Sequence, residues 1–206
     1  MRWIFDIENP VMHYVVKIFD CMCLSVLWLL FSLPIITAGA STTALYVTIY
    51  RYIRKEEGHL WRTFWGAFRE NLKRSTLVWL IVLAVAALLA VDVLVFRTMA
   101  LNGQLLGKLY WLILVLCCVA VTWAAYLFAY AARFRGTARD VLRVSLALMI
   151  AHPLRALTVF VPVAAGILLG VMAPGLLTIL PAGVCLVVSL VTESVFALHL
   201  PKEENT

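Results

Sequence analysis

The run LVWLIVLAVAALLAVDVLVF, Leu77 to Phe96, carries one formal charge, Asp92, in 20 residues, and LYWLILVLCCVAVTWAAYLFAY, Leu109 to Tyr130, carries none in 22. A helix needs about 20 apolar residues to cross the hydrocarbon core of a bilayer. Two such runs joined by a short loop predict a pair of transmembrane helices. Three further apolar stretches flank them. The expected fold is therefore an all-α integral membrane protein forming one membrane domain over residues 1–206, with five spans at about 18–38, 77–96, 109–130, 154–172 and 176–200. Only Ala173-Pro174-Gly175 separates the last two, which predicts a tight hairpin; Gly166 and Gly170 stand at the four-residue spacing that lets another helix approach closely.

Composition agrees. The 206 residues are 64% apolar and 14% charged, with a mean hydropathy of +0.99, whereas soluble domains run near half apolar and a quarter charged. That balance excludes a secreted disulfide scaffold, a soluble cofactor enzyme and a nucleic-acid module. The five cysteines lie in apolar runs without His or carboxylate at ligand spacing, so no metal or other cofactor is expected. No His-Glu-x-x-His, Gly-x-Ser-x-Gly or nucleotide-binding phosphate loop is present. An enzyme is not expected.

Lys and Arg are uneven: seven lie in the first loop and five around the third, against two before the first span, two in the second loop and one in the tail. The positive-inside rule then puts the first and third loops and the C-terminus in the cytoplasm and the N-terminus outside. A full crossing by the segment after Ser41 would undo this assignment, whereas a re-entrant segment would leave it standing.

The first loop opens with Leu33-Pro34-Ile35-Ile36-Thr37-Ala38-Gly39-Ala40-Ser41-Thr42-Thr43-Ala44-Leu45-Tyr46. Pro34 breaks helical hydrogen bonding, Gly39 permits a positive φ, and Ser41 or Thr42 suits the cap of a new helix. Such a break serves as a capped turn, or its hydroxyls and helix N-terminus bind an anion or a sugar. Farther on, Trp61, Phe64, Trp65 and Phe68 form one stripe of a helical period with basic residues off it. This predicts an interfacial helix at the lipid headgroups or, alternatively, a face for a partner protein. The third loop, with Arg133, Arg135, Gly136 and Arg139, leads into a short amphipathic helix that Thr137 and Asp140 cap.

Carboxylates inside apolar runs are the default functional candidates. Asp20 and Asp92 are each placed near the outer end of a span, where they approach each other. Glu193 lies deeper, and its expected partner is Arg133 or Arg135.

The run from Trp28 to Tyr46, the Phe64 to Lys73 helix and Phe134-Arg135-Gly136-Thr137 together resemble the YesL-like family of small bacterial membrane proteins, a domain of unknown function. The resemblance implies a bacterial inner-membrane protein encoded beside carbohydrate-uptake ABC transporters, and carries no catalytic residues. It suggests a non-enzymatic accessory subunit whose partners are the lipid bilayer and an ABC permease or other uptake component. Tyr130 to Gly136 has the spacing of a permease's ATPase-binding loop but lacks its glutamate. The alternatives are a small oligomeric transporter or channel using Asp20, Asp92 and Glu193, and a membrane regulator or assembly factor.

Overall fold

The computed structural model describes residues 10–134 and 136–199, with side chains over 15–134 and 136–196. The expectations resting on Arg135 and on the two chain ends lie outside these residues. The described residues form helices joined by short turns and loops, without a strand: α1 (Pro10–Ser32), α2 (Ala38–Thr48, continued by a wider π-type stretch, Ile49–Arg54), α3 (Leu60–Leu101), α4 (Leu109–Arg133), α5 (Ala138–Ala151), α6 (Pro153–Met172) and α7 (Leu180–His199). Four helical segments, Val15–Ser32, Leu60–Leu101, Leu105–Arg133 and Pro153–Met172, are long and apolar enough to cross a membrane, and Leu180–Phe196 is a shorter apolar helix. Their outer surfaces expose large apolar side chains such as Leu30, Leu88, Leu112 and Leu168, which suits contact with lipid rather than water. The fold is all-α and of the multi-pass membrane type.

Pro34 ends α1 as its chemistry requires. The turn is closed by Thr37, whose Oγ1 donates to the carbonyls of Phe31 (2.8 Å) and Pro34 (2.9 Å). Two details differ from the expectation. Ser41 and Thr42 lie inside α2, whose N-cap is Thr37 without a side-chain cap bond. Gly39 is also helical, the described glycines at positive φ being Gly58 and Gly103. What Gly39 provides is proximity: a Cβ there would stand 2.4 Å from Trp79 Cβ.

Small residues thus let α2 sink between its neighbours, and Gly39, Ala40, Ser41 and every residue from Thr43 to Thr48 are buried. It runs antiparallel to α1, with Trp28 Nε1 donating to Thr42 Oγ1 (3.1 Å) and Tyr52 Oη to Asp20 Oδ2 (3.0 Å). It is antiparallel to α3 as well, where Gly39 meets Trp79 and Thr43 Oγ1 donates to Ser75 Oγ at 2.9 Å.

The aromatic stripe is not a separate interfacial helix. It is the first part of α3, a single helix of 42 residues, about 63 Å long and twice the thickness of a hydrocarbon core. The charges from Arg69 to Arg74 interrupt the hydropathy but not the helix, because this stretch contains neither proline nor glycine. Phe64 and Phe68 are buried, with ring centroids 5.7 and 5.1 Å from that of Phe31. Their face is taken up by α1 and α2 rather than by lipid.

Returning antiparallel to α3, α4 sets Phe128 against Trp79. The Thr137–Asp140 capping box forms at the start of α5. In the α6–α7 hairpin a Cβ on Gly166 would lie 2.6 Å from Val184 Cγ2, and one on Gly170 3.0 Å from Leu177 Cδ2. Both glycines therefore serve close packing.

Candidate functional site

Polar side chains gather where α2, α4 and α7 meet. α2 presents buried Tyr46, whose Oη lies 2.6 Å from Thr192 Oγ1 and 3.3 Å from Glu193 Oε1. The last residue of α4 closes the group, Arg133 Nε standing 3.1 Å from Glu193 Oε1. The Arg133 guanidinium lies over the Tyr50 ring at 4.2 Å from its centroid, a cation–π contact that fixes the plane of its fork. Arg54 reaches across from the end of α2 to donate to the Ser189 carbonyl (3.0 Å). A carboxylate in an apolar helix is costly unless paired, and here it has a cation and a hydroxyl. Arg133 is one of the two partners expected for Glu193.

Arg74 performs a related task at the adjoining surface. Its guanidinium donates to the carbonyls of Phe134 (2.9 Å), Gly136 (3.2 Å) and Ala131 and to Asn71 Oδ1 (2.9 Å). These bonds satisfy carbonyls that the end of a helix leaves open, and they fasten the α4–α5 connection to α3. The sequence marks Arg74 only as a charge off the aromatic stripe, and nothing local gives its targets.

Beside this junction lies an open cleft of about 850 Å³ between the end of α2, the first turns of α3 and the end of α4. Arg51, His59, Arg62, Asn71 and Arg133 contribute its polar wall, with Glu70 the acidic residue among the lining side chains, and Gly58 and Gly66 leave it wide. Arg51 and Arg62 come from separate helices with a loop between them. The chain gives their positions but not their approach.

The other candidates are dispersed. Asp20 accepts from Tyr52 near the loop into α3, whereas Asp92 is half-buried on α3, about 48 Å beyond Leu60 at 1.5 Å per residue. The expected approach of the two acids does not occur, because α1 starts beside the base of α3 and Asp92 stands toward its far end. For the same reason the start of α1 is not opposite the first loop: Lys17 Nζ and Glu56 Oε1 are 2.7 Å apart. The hydroxyls of Thr37, Ser41, Thr42 and Thr43 donate to carbonyls of Phe31, Trp28, Ala38 and Gly39, which makes the Pro34–Tyr46 segment a packing device. Trp61 is exposed and stacks on Trp65 at 6.2 Å, Arg139 is exposed on α5, and Gly136 offers its carbonyl to Arg74.

Residues 21–93 match a family model described as a protein of unknown function, DUF624. The match runs from Cys21 on α1 through α2 to Val93 on α3, and so takes in the α1–α2 hairpin and most of the helix against which it packs. No curated protein and no solved structure matches the chain.

Proposed function

We propose that the chain is a non-enzymatic accessory subunit of a bacterial carbohydrate-uptake ABC system, seated in the inner membrane and presenting its basic face to cytoplasmic partners. The observation that carries this reading is the closed state of Glu193, whose carboxylate is held by Arg133 and Tyr46. A carrier needs intramembrane acids that exchange partners along a path. Asp20 is engaged as well, by Tyr52. The association with carbohydrate uptake rests on the resemblance to the YesL-like family. By the positive-inside rule, the face bearing Arg51, Arg54, Arg74 and Arg133 is cytoplasmic, and Lys17 joins it through Glu56. In this reading α1 and α2 form a hairpin that enters and leaves through the cytoplasmic face, while α3, α4, α6 and α7 cross.

A second reading, a small oligomeric transporter or channel, draws on Asp92, whose side chain makes no ion pair or hydrogen bond among the described residues. One experiment separates the two. The tagged protein is purified in nanodiscs and its bound partners are identified by mass spectrometry. Stoichiometric recovery of an ABC permease or solute-binding protein supports the accessory reading. Recovery of the chain alone as a defined homo-oligomer overturns it and directs flux assays to Asp92→Asn.

A further inference from the structure

We infer that the cleft between α2, α3 and α4 is a binding site for a phosphoryl-bearing anion, the source being either a phospholipid headgroup or a small phosphorylated solute. The inference stands apart from the accessory reading, since it rests on the cleft alone. Its volume, about 850 Å³, lies within the ordinary range of ligand sites. Arg51, Arg62 and Arg133 reach it from three different helical segments, opposed by the single carboxylate of Glu70. Guanidinium forks match the oxygens of a phosphoryl group, and several of them converging favour that group over a monoatomic anion.

The arginines are also differently prepared. Arg133 is set in place, its guanidinium held over the Tyr50 ring and its Nε 3.1 Å from Glu193 Oε1. The side chains of Arg51 and Arg62 are exposed and make no ion pair or hydrogen bond among the described residues. One fixed and two uncommitted cations around an open floor describe a site in which the ligand supplies the missing counter-charge. The floor is open at Gly66, where a Cβ would meet nothing within 4 Å. Asn71 Nδ2 is turned to the Ala67 carbonyl, so recognition falls to the guanidinium groups.

The test uses the full chain in nanodiscs of phosphatidylcholine alone, titrated calorimetrically with inorganic phosphate, beside a second set of discs containing phosphatidic acid and read by native mass spectrometry. The wild type is expected to bind phosphate saturably or to retain phosphatidic acid. Arg51→Gln with Arg62→Gln weakens that binding at least about tenfold, equivalent to about 1.4 kcal/mol, and Arg143→Gln on the exposed side of α5 leaves it unchanged. Phosphate binding that disappears when phosphatidic acid is present, with the lipid retained by the wild type and lost from the double variant, assigns a headgroup. Phosphate binding that survives in those discs assigns a soluble ligand. If the double variant fails to fold, Arg51→Lys and Arg62→Lys, which keep the charge but lose the fork, take its place with the same expected weakening. Absence of saturable binding in both sets of discs, or an equal loss in Arg143→Gln, overturns the site.

Discussion

Gly39 and Trp79 are in backbone-level contact: a Cβ on the glycine would lie 2.4 Å from the tryptophan's Cβ and 2.7 Å from the Ser75 carbonyl oxygen. Neither neighbour is the movable end of a long side chain, so the Gly39→Ala protein must part α2 from α3. The Thr43–Ser75 hydrogen bond, one helical turn along, is stretched with it. Overpacking of this kind costs about 1–3 kcal/mol.

Thermal unfolding in detergent, followed by tryptophan fluorescence, measures that loss. Gly66→Ala is the internal control, because a Cβ there meets nothing within 4 Å; it should be neutral or stabilising by up to about 1 kcal/mol through helix propensity. Equal midpoints for wild type and Gly39→Ala would remove the close contact from the account of this fold.

The Glu193–Arg133 pair predicts a coupling between α7 and α4. Glu193→Gln leaves Arg133 facing a neutral amide, and Arg133→Gln strands a carboxylate whose side chain is only 12% exposed. Each single change should cost about 1–3 kcal/mol, less than a fully buried pair, because the arginine side retains some solvent. The double variant should cost less than the sum of the two. Strict additivity in the cycle would show that the ion pair contributes nothing beyond its separate parts.

These two relationships mark how far the sequence can be read. A carboxylate in an apolar helix needs a cation, and Arg133 and Arg135 stand where the third loop leaves its apolar run, so Arg133 was legible as a partner of Glu193. Pro34 and the Thr137–Asp140 box were legible because their chemistry acts within a few residues. The packing of α2 was not, since a run of Gly, Ala, Ser and Thr fits a turn as well as a buried helix. The continuity of α3 was hidden by Arg69–Arg74, which lowers hydropathy without breaking hydrogen bonding. The convergence of Arg51, Arg62 and Arg133 depends on three helical segments packing together and leaves no trace in local pattern.

The start of α5 gives a prediction with a pH sign. The Thr137 hydroxyl and backbone N–H both donate to Asp140 Oδ2, at 2.6 and 2.9 Å. The hydroxyl bond foremost, then the backbone bond, holds the carboxyl below the usual carboxylate range. A carboxyl whose folded value is depressed stabilises the helix above its ordinary titration range and loses that contribution as pH falls through the folded value. Amide hydrogen exchange over residues 138–151 should therefore show protection that is constant near neutrality and declines in acid. Thr137→Ala should lower protection at neutral pH and flatten the acid dependence. An unchanged acid profile in that variant would place the titration elsewhere.

Lys17 and Glu56 fix which end of α1 belongs with the loop between α2 and α3. Their charged atoms are 2.7 Å apart, in side chains that keep 30% and 59% of their exposure, so both must face one aqueous side of the bilayer. The turn between α3 and α4, with Asn102, Gly103 and Gln104, lies at the far end of the long helix. Lys17→Cys, Glu56→Cys and Gln104→Cys, labelled in oriented vesicles with a membrane-impermeant maleimide, test this arrangement. The wild-type protein, whose five cysteines lie in apolar runs, sets the background. Lys17→Cys and Glu56→Cys should react from the same side as Arg62→Cys, and Gln104→Cys from the other. A Lys17→Cys that reacts only with Gln104→Cys would require α1 to cross in the direction opposite to α3, which the antiparallel packing of α2 against both helices forbids.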